Sequence, residues 1–166
     1  MRRRVIAMAA LPWLVTGCAP ASAALHGYHR YTNPSVAMEP TLRVNQTFNA
    51  RPVRHGRYTP KRGDVVVFTM PSWSADGRGT QPIVKRVVAI AGDRIGCCSG
   101  GRVTLNGAPL SEPYLAPGTA EAAFGTVAIP PGQMWLMGDN RANSADSRTG
   151  RGPVPASAVI GVVVLK

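Results

Sequence analysis

Glycine and proline fall 18 and 15 times in 166 residues, and no stretch after Leu25 keeps an apolar repeat of helical period. Glycine costs backbone entropy inside a helix and proline removes an N–H, yet both sit readily in turns. What lies between them is short and β-branched. Val65-Val66-Val67-Phe68 reads as a buried strand, and Ile83-Val84-Lys85-Arg86-Val87-Val88-Ala89-Ile90, closed by Gly92-Asp93, is the strongest strand signal in the chain. Arg102 to Leu105 and the residues after Asn106-Gly107 read as a hairpin, because that dipeptide accepts the positive φ angles of a type I′ turn. Thr126 to Ile129, Met134 to Met137 and Val159 to Leu165 complete the set, with Pro71 to Pro82 as a loop. The expected body is all-β, built of mostly antiparallel short strands, and residues 26–166 are long enough for one domain with one core.

The first 25 residues differ in kind. Met1-Arg2-Arg3-Arg4 precedes an uncharged run from Val5 to Leu25, a basic flank and an N-terminal apolar helix of roughly the 20 residues that cross a bilayer. Three outcomes fit it: an uncleaved signal anchor, a lipoprotein modified at Cys18 in Val15-Thr16-Gly17-Cys18, or cleavage after Ala21-Ser22-Ala23. In each, the arginines stay on the cytoplasmic side and everything after Leu25 is carried outside.

Lys+Arg number 19 against 8 Asp+Glu, a formal charge of +11, which favours an acidic partner surface. Beyond Arg2–Arg4 the basic residues concentrate at Arg43, Arg51, Arg54, Arg57, Lys61 and Arg62, without interleaved aromatic residues to stack on bases. Membrane lipid is therefore the expected partner, not nucleic acid. Cys18, Cys97 and Cys98 lack metal-ligand spacing, so no metal and no cofactor is expected. The adjacent pair is either a vicinal disulfide or two buried thiols in a bulge.

Four segments carry chemistry: Pro34 to Leu42; Arg62-Gly63-Asp64-Val65-Val66; Lys85 to Asp93; and Gly138-Asp139-Asn140-Arg141-Ala142-Asn143-Ser144-Ala145-Asp146-Ser147-Arg148. In order and spacing they resemble the four sequence boxes of type I signal peptidases. The resemblance runs from about Ser35 to Val164. It implies a signal-peptidase-like β fold on the extracytoplasmic side of a bacterial cell membrane, and a serine endopeptidase with a Ser/Lys dyad whose partners are signal peptides of secretory precursors. By the same resemblance Lys85 is the general base, Ser144 orients it, and Ser35 supplies a hydroxyl to the oxyanion hole. Asp139, Asn140, Arg141, Asp146 and Arg148 are structural support. The chemistry has an independent logic: a serine hydroxyl needs a base, and lysine serves only when burial among apolar residues such as Val84 and Val87 disfavours its ammonium form.

One position breaks the pattern. The family has Ser-x-Ser-Met-x-Pro-Thr-Leu; this chain has Ser35-Val36-Ala37-Met38-Glu39-Pro40-Thr41-Leu42, with alanine at the nucleophile. Ala37 keeps its backbone N–H, so oxyanion donors survive without a hydroxyl to attack. A pseudo-peptidase that binds signal-peptide-like segments or a partner peptidase, an introduced serine-to-alanine change, and catalysis by a displaced Ser35 all follow from that. On a strand, Ser35 would share a face with residue 37 but stand about 6 to 7 Å away. Little or no peptidase activity is the expectation.

Overall fold

The computed structural model describes residues 27–74 and 77–165. The N-terminal apolar helix and its processing sites, Cys18 included, lie outside the described residues. Among the described residues no helix is long and apolar enough to cross a membrane, and the helical elements are single 3-10 turns.

Among the described residues eleven strands form in chain order: β1 (His29–Thr32), β2 (Thr47–Pro52), β3 (Val65–Phe68), β4 (Ile83–Ile90), β5 (Arg94–Ser99), β6 (Arg102–Leu105), β7 (Ala108–Pro109), β8 (Phe124–Ala128), β9 (Gln133–Met137), β10 (Val154–Pro155) and β11 (Val159–Val163). They make a seven-stranded sheet in the order β1-β2-β11-β3-β4-β9-β10 and a four-stranded sheet in the order β7-β6-β5-β8. Every pairing is antiparallel. The body is mostly β, as its punctuation by glycine and proline implies. The hairpin at Asn106-Gly107 forms with both residues at positive φ, 54° and 87°.

The differences from expectation are local. β1, β2 and β5 form where no strand is expected, β8 starts two residues earlier than expected, and β11 ends two residues sooner. β2 carries no apolar run because only Phe48 and Ala50 face inward, and its strand character comes from pairing with β1 on one side and β11 on the other. β5 is interrupted by Gly96 and bulged around Cys97. Gly96 is obligatory there: a Cβ would sit 2.8 Å from Thr126 Oγ1 and 3.2 Å from Thr126 Cα, so β5 and β8 approach only as closely as glycine allows. Cys97 and Cys98 are disulfide-bonded within that bulge, half-buried and exposed respectively, so the alternative of two buried thiols does not hold.

Every residue of β3 is buried because both faces of the large sheet are covered. Val65 and Val67 pack with Met38, Leu42, Phe48, Ala50 and Val84, while Val66 and Phe68 pack with Trp73, Val87, Met134 and Leu136. A third cluster, with Val88, Ile95, Val103, Trp135 and Met137, joins the two sheets. A continuous apolar run where alternation might be expected is the mark of such two-sided burial.

Candidate active site around Lys85

Lys85 is the third residue of β4, directly opposite Val66 on β3, on the apolar face that also holds Val87 and Trp73. It is only 5% exposed and makes no hydrogen bond or ion pair with the described residues. That burial pulls its pKa from 10.5 down to about 8. The negative charge of Asp146 opposes the shift, Arg151 and Arg148 reinforce it, and Asp139 opposes it weakly. An amine in this state is neutral in roughly one molecule in ten at pH 7, and can accept a proton.

The segment before β2 brings Ser35 and Ala37 to this strand. Val36–Met38 is a 3-10 turn, not a strand, with Ser35 as its N-cap; the turn packs on β4 and on the turn Arg141–Asn143. The two-residue strand spacing between positions 35 and 37 therefore does not apply. Ser35 Oγ instead folds back to 3.4 Å from the Ala37 N–H. Ala37 is buried, and its carbonyl accepts from the Asn140 N–H at 3.1 Å. Asn33 fixes this loop from below: buried, it donates from Nδ2 to the carbonyls of Ser35, Leu42 and Arg43. A cavity of about 210 Å³ opens between Ser35 and Lys85, lined also by Trp73, Gln81 and Val84; Ala37 does not line it.

The glycine-to-arginine box, polar as it is, is largely buried. Asp139, Arg141, Ser144, Asp146 and Ser147 are all inside. Asp146 accepts from the Gly138 N–H at 3.0 Å and from Nε and Nη2 of Arg148, each at 2.9 Å, and those bonds hold its pKa low against the opposing effect of burial. Ser144 Oγ is buried without a well-formed hydrogen bond, although it lies close enough to Asp146 to help stabilise the carboxylate. Its bond to Lys85 is not formed in this structure. Gly138 has no room for a side chain, since a Cβ would collide with Ser144 Oγ and the Ala37 carbonyl.

Arg86, beside Lys85, points to the other face and ties all four boxes together. Its guanidinium bonds both oxygens of Asp139 at 2.8 and 2.6 Å, Thr41 Oγ1 at 3.2 Å and the Gly63 carbonyl at 2.8 Å. Read from sequence it is only a neighbour of Lys85. Asn33, Glu112, Tyr114 and Glu121 also lie outside the boxes yet reach this region. Their signal is scarcity: Glu112 and Glu121 are two of only 8 acidic residues in a strongly basic chain.

A family model described as signal peptidase, peptidase S26, matches residues 4–166. The chain belongs to the signal peptidase family. It is 34% identical over 181 residues to a signal peptidase I of Mycobacterium tuberculosis, in an alignment covering 79% of this chain and 62% of that relative's length. A signal peptidase I of Bacillus licheniformis is 32% identical over 145 residues, covering 81% of this chain and 73% of the relative. The crystal structure of a signal peptidase I from Enterococcus faecalis superimposes with a TM-score of 0.52 at 27% identity, over 64% of this chain and 98% of that one. Type I signal peptidase is thus the family both of the sequence and of the β fold.

Proposed function

We propose that this signal peptidase family member binds signal-peptide segments of exported precursors at the outer face of the bacterial membrane and cleaves them little or not at all. The observation that carries the reading is Ala37 set against Lys85: the amine is buried and depressed in pKa, as a lysine base requires, while the residue at the family's nucleophile position has no hydroxyl. In this reading Lys85 is the general base of an inherited framework, Ser144 its orienting partner, and Asp139, Asn140, Arg141, Asp146 and Arg148 the support beneath. The Ser35 hydroxyl accepts from the Ala37 N–H and keeps its own proton to donate to a carbonyl. A bound peptide would place small side chains in the cavity between Ser35 and Val84.

The membrane is the second partner proposed. Tyr28, Val36, Val44, Val164 and Leu165 are exposed, and Arg43, Arg51, Arg54 and Arg57 are exposed as well, a combination suited to an anionic lipid surface.

A displaced nucleophile is the competing reading, favoured by one observation: Ser35 lines the same cavity as Lys85. The test is cleavage of a precursor with an Ala-x-Ala site by the unaltered protein and by Ser35→Ala. The proposal expects binding of the precursor with negligible cleavage in both. Robust cleavage by the unaltered protein that disappears in Ser35→Ala would replace it with catalysis by Ser35.

A further inference from the structure

The segment between β7 and β8 lies outside all four boxes, yet its side chains run into the largest ion-pair cluster among the described residues. Arg141, with a fully buried side chain, is held by Glu112 through both arms of its guanidinium and also by Glu121. The other oxygen of Glu121 bonds Arg148 at 3.2 Å, and Arg148 in turn grips Asp146 and donates to the Arg141 carbonyl at 2.9 Å. Tyr114 places its ring 3.9 Å from the Arg86 guanidinium and donates its hydroxyl to Glu112 at 2.6 Å. The side chains of Glu112 and Glu121 are 5% and 3% exposed. Four of the chain's 8 acidic residues, Glu112, Glu121, Asp139 and Asp146, thus converge on three arginines.

Buried ion pairs are a poor means of stabilising a fold, since desolvation offsets most of the attraction. They are an effective means of fixing geometry. Between Ser111 and Ala123 the backbone hydrogen bonds are confined to two local turns, Leu115 N–H to Glu112 and Thr119 N–H to Ala116. The strap is therefore held in place by its side chains, and those side chains reach the residues around Lys85 from three directions. Glu121 leads through Arg148 to Asp146. Glu112 leads through Arg141 to the Gly138 carbonyl and the turn whose Asn140 N–H holds Ala37. Tyr114 leads to Arg86 and Asp139.

We propose that Glu112, Tyr114 and Glu121 are positioning residues: the strap they sit on sets the placement and charge balance of the Arg141–Arg148–Asp146 group beside Lys85. The inference rests on the Lys85 cleft being the working site, but its test does not require turnover. Lys85 is titrated by NMR through its side-chain carbon signal in the full native chain and in Glu121→Gln and Glu112→Gln, with thermal melting measured alongside. Glutamine keeps the shape and removes the charge. With Arg148 less neutralised, the ammonium of Lys85 becomes costlier, and its midpoint falls by roughly half a unit or more in Glu121→Gln. In an Ala37→Ser background that cleaves, the same changes lower kcat at least about tenfold with KM little changed. A failure of Ala37→Ser to cleave counts against the proposed function alone and leaves the titration result standing. If both variants melt earlier while Lys85 titrates where it does in the native protein, the strap is a stabilising element only and the proposal is wrong.

Discussion

Lys85→Met exposes what the buried amine costs the fold. Lys85 titrates at about 8 in the folded chain against 10.5 when unperturbed, because burial outweighs the attraction of Asp146. Between those values the unfolded chain binds more protons than the native one, so stability rises with pH across that window; below pH 8 the penalty is complete and constant. A shift of this size corresponds to about 3 kcal/mol. Methionine retains the length and apolar stem of the side chain on the face shared with Val66 and Val87, and Asp146 keeps its Arg148 partner. Lys85→Met should therefore be more stable than the native protein by about 3 kcal/mol at pH 7, or roughly 6–12 °C in melting temperature for a chain of this size. Urea unfolding at a series of pH values measures it, and the gap should close steadily from pH 8 to above 10. A variant that is no more stable at pH 7, or whose advantage is the same at pH 7 and pH 10, would refute the reasoning that Lys85 is held against its charge.

Gly138→Ala should cost about 1–3 kcal/mol in denaturant unfolding, because the added methyl must displace Ser144 or the Ala37 carbonyl; at the same time it should weaken precursor binding. Asp139→Ala leaves Arg86 buried without its carboxylate, and a loss of about 3–5 kcal/mol is expected by the same measurement, whereas a loss under about 1 kcal/mol would show that the four boxes do not depend on this tie.

How much of this was legible in the sequence varies with the physical origin of each feature. Strands β3, β4 and β9 are apolar because they are buried, so their residues announce them. β2 announces nothing, since its asparagine and arginine reflect exposure on one face and its inner partner, β11, comes from the far end of the chain. The boxes single out Lys85, Ala37 and Ser144 but not the local geometry: a short segment such as Ser35 to Met38 carries no periodicity to separate a strand from a 3-10 turn. Arg86 could not be weighed from sequence, because its importance lies in contacts with Thr41, Gly63 and Asp139 on three separate segments. Glu112, Tyr114 and Glu121 fell outside every motif for the same reason.

The proposed function requires that the Lys85 cleft become active once a hydroxyl is restored at position 37. Its most direct measurement is cleavage of an Ala-x-Ala precursor by Ala37→Ser beside the unaltered protein, followed across pH. The account predicts no appreciable cleavage by the unaltered protein and a gain of activity in Ala37→Ser that rises through pH 8 as Lys85 loses its proton. An Ala37→Ser protein that folds, binds the precursor and still does not cleave it would contradict the claim.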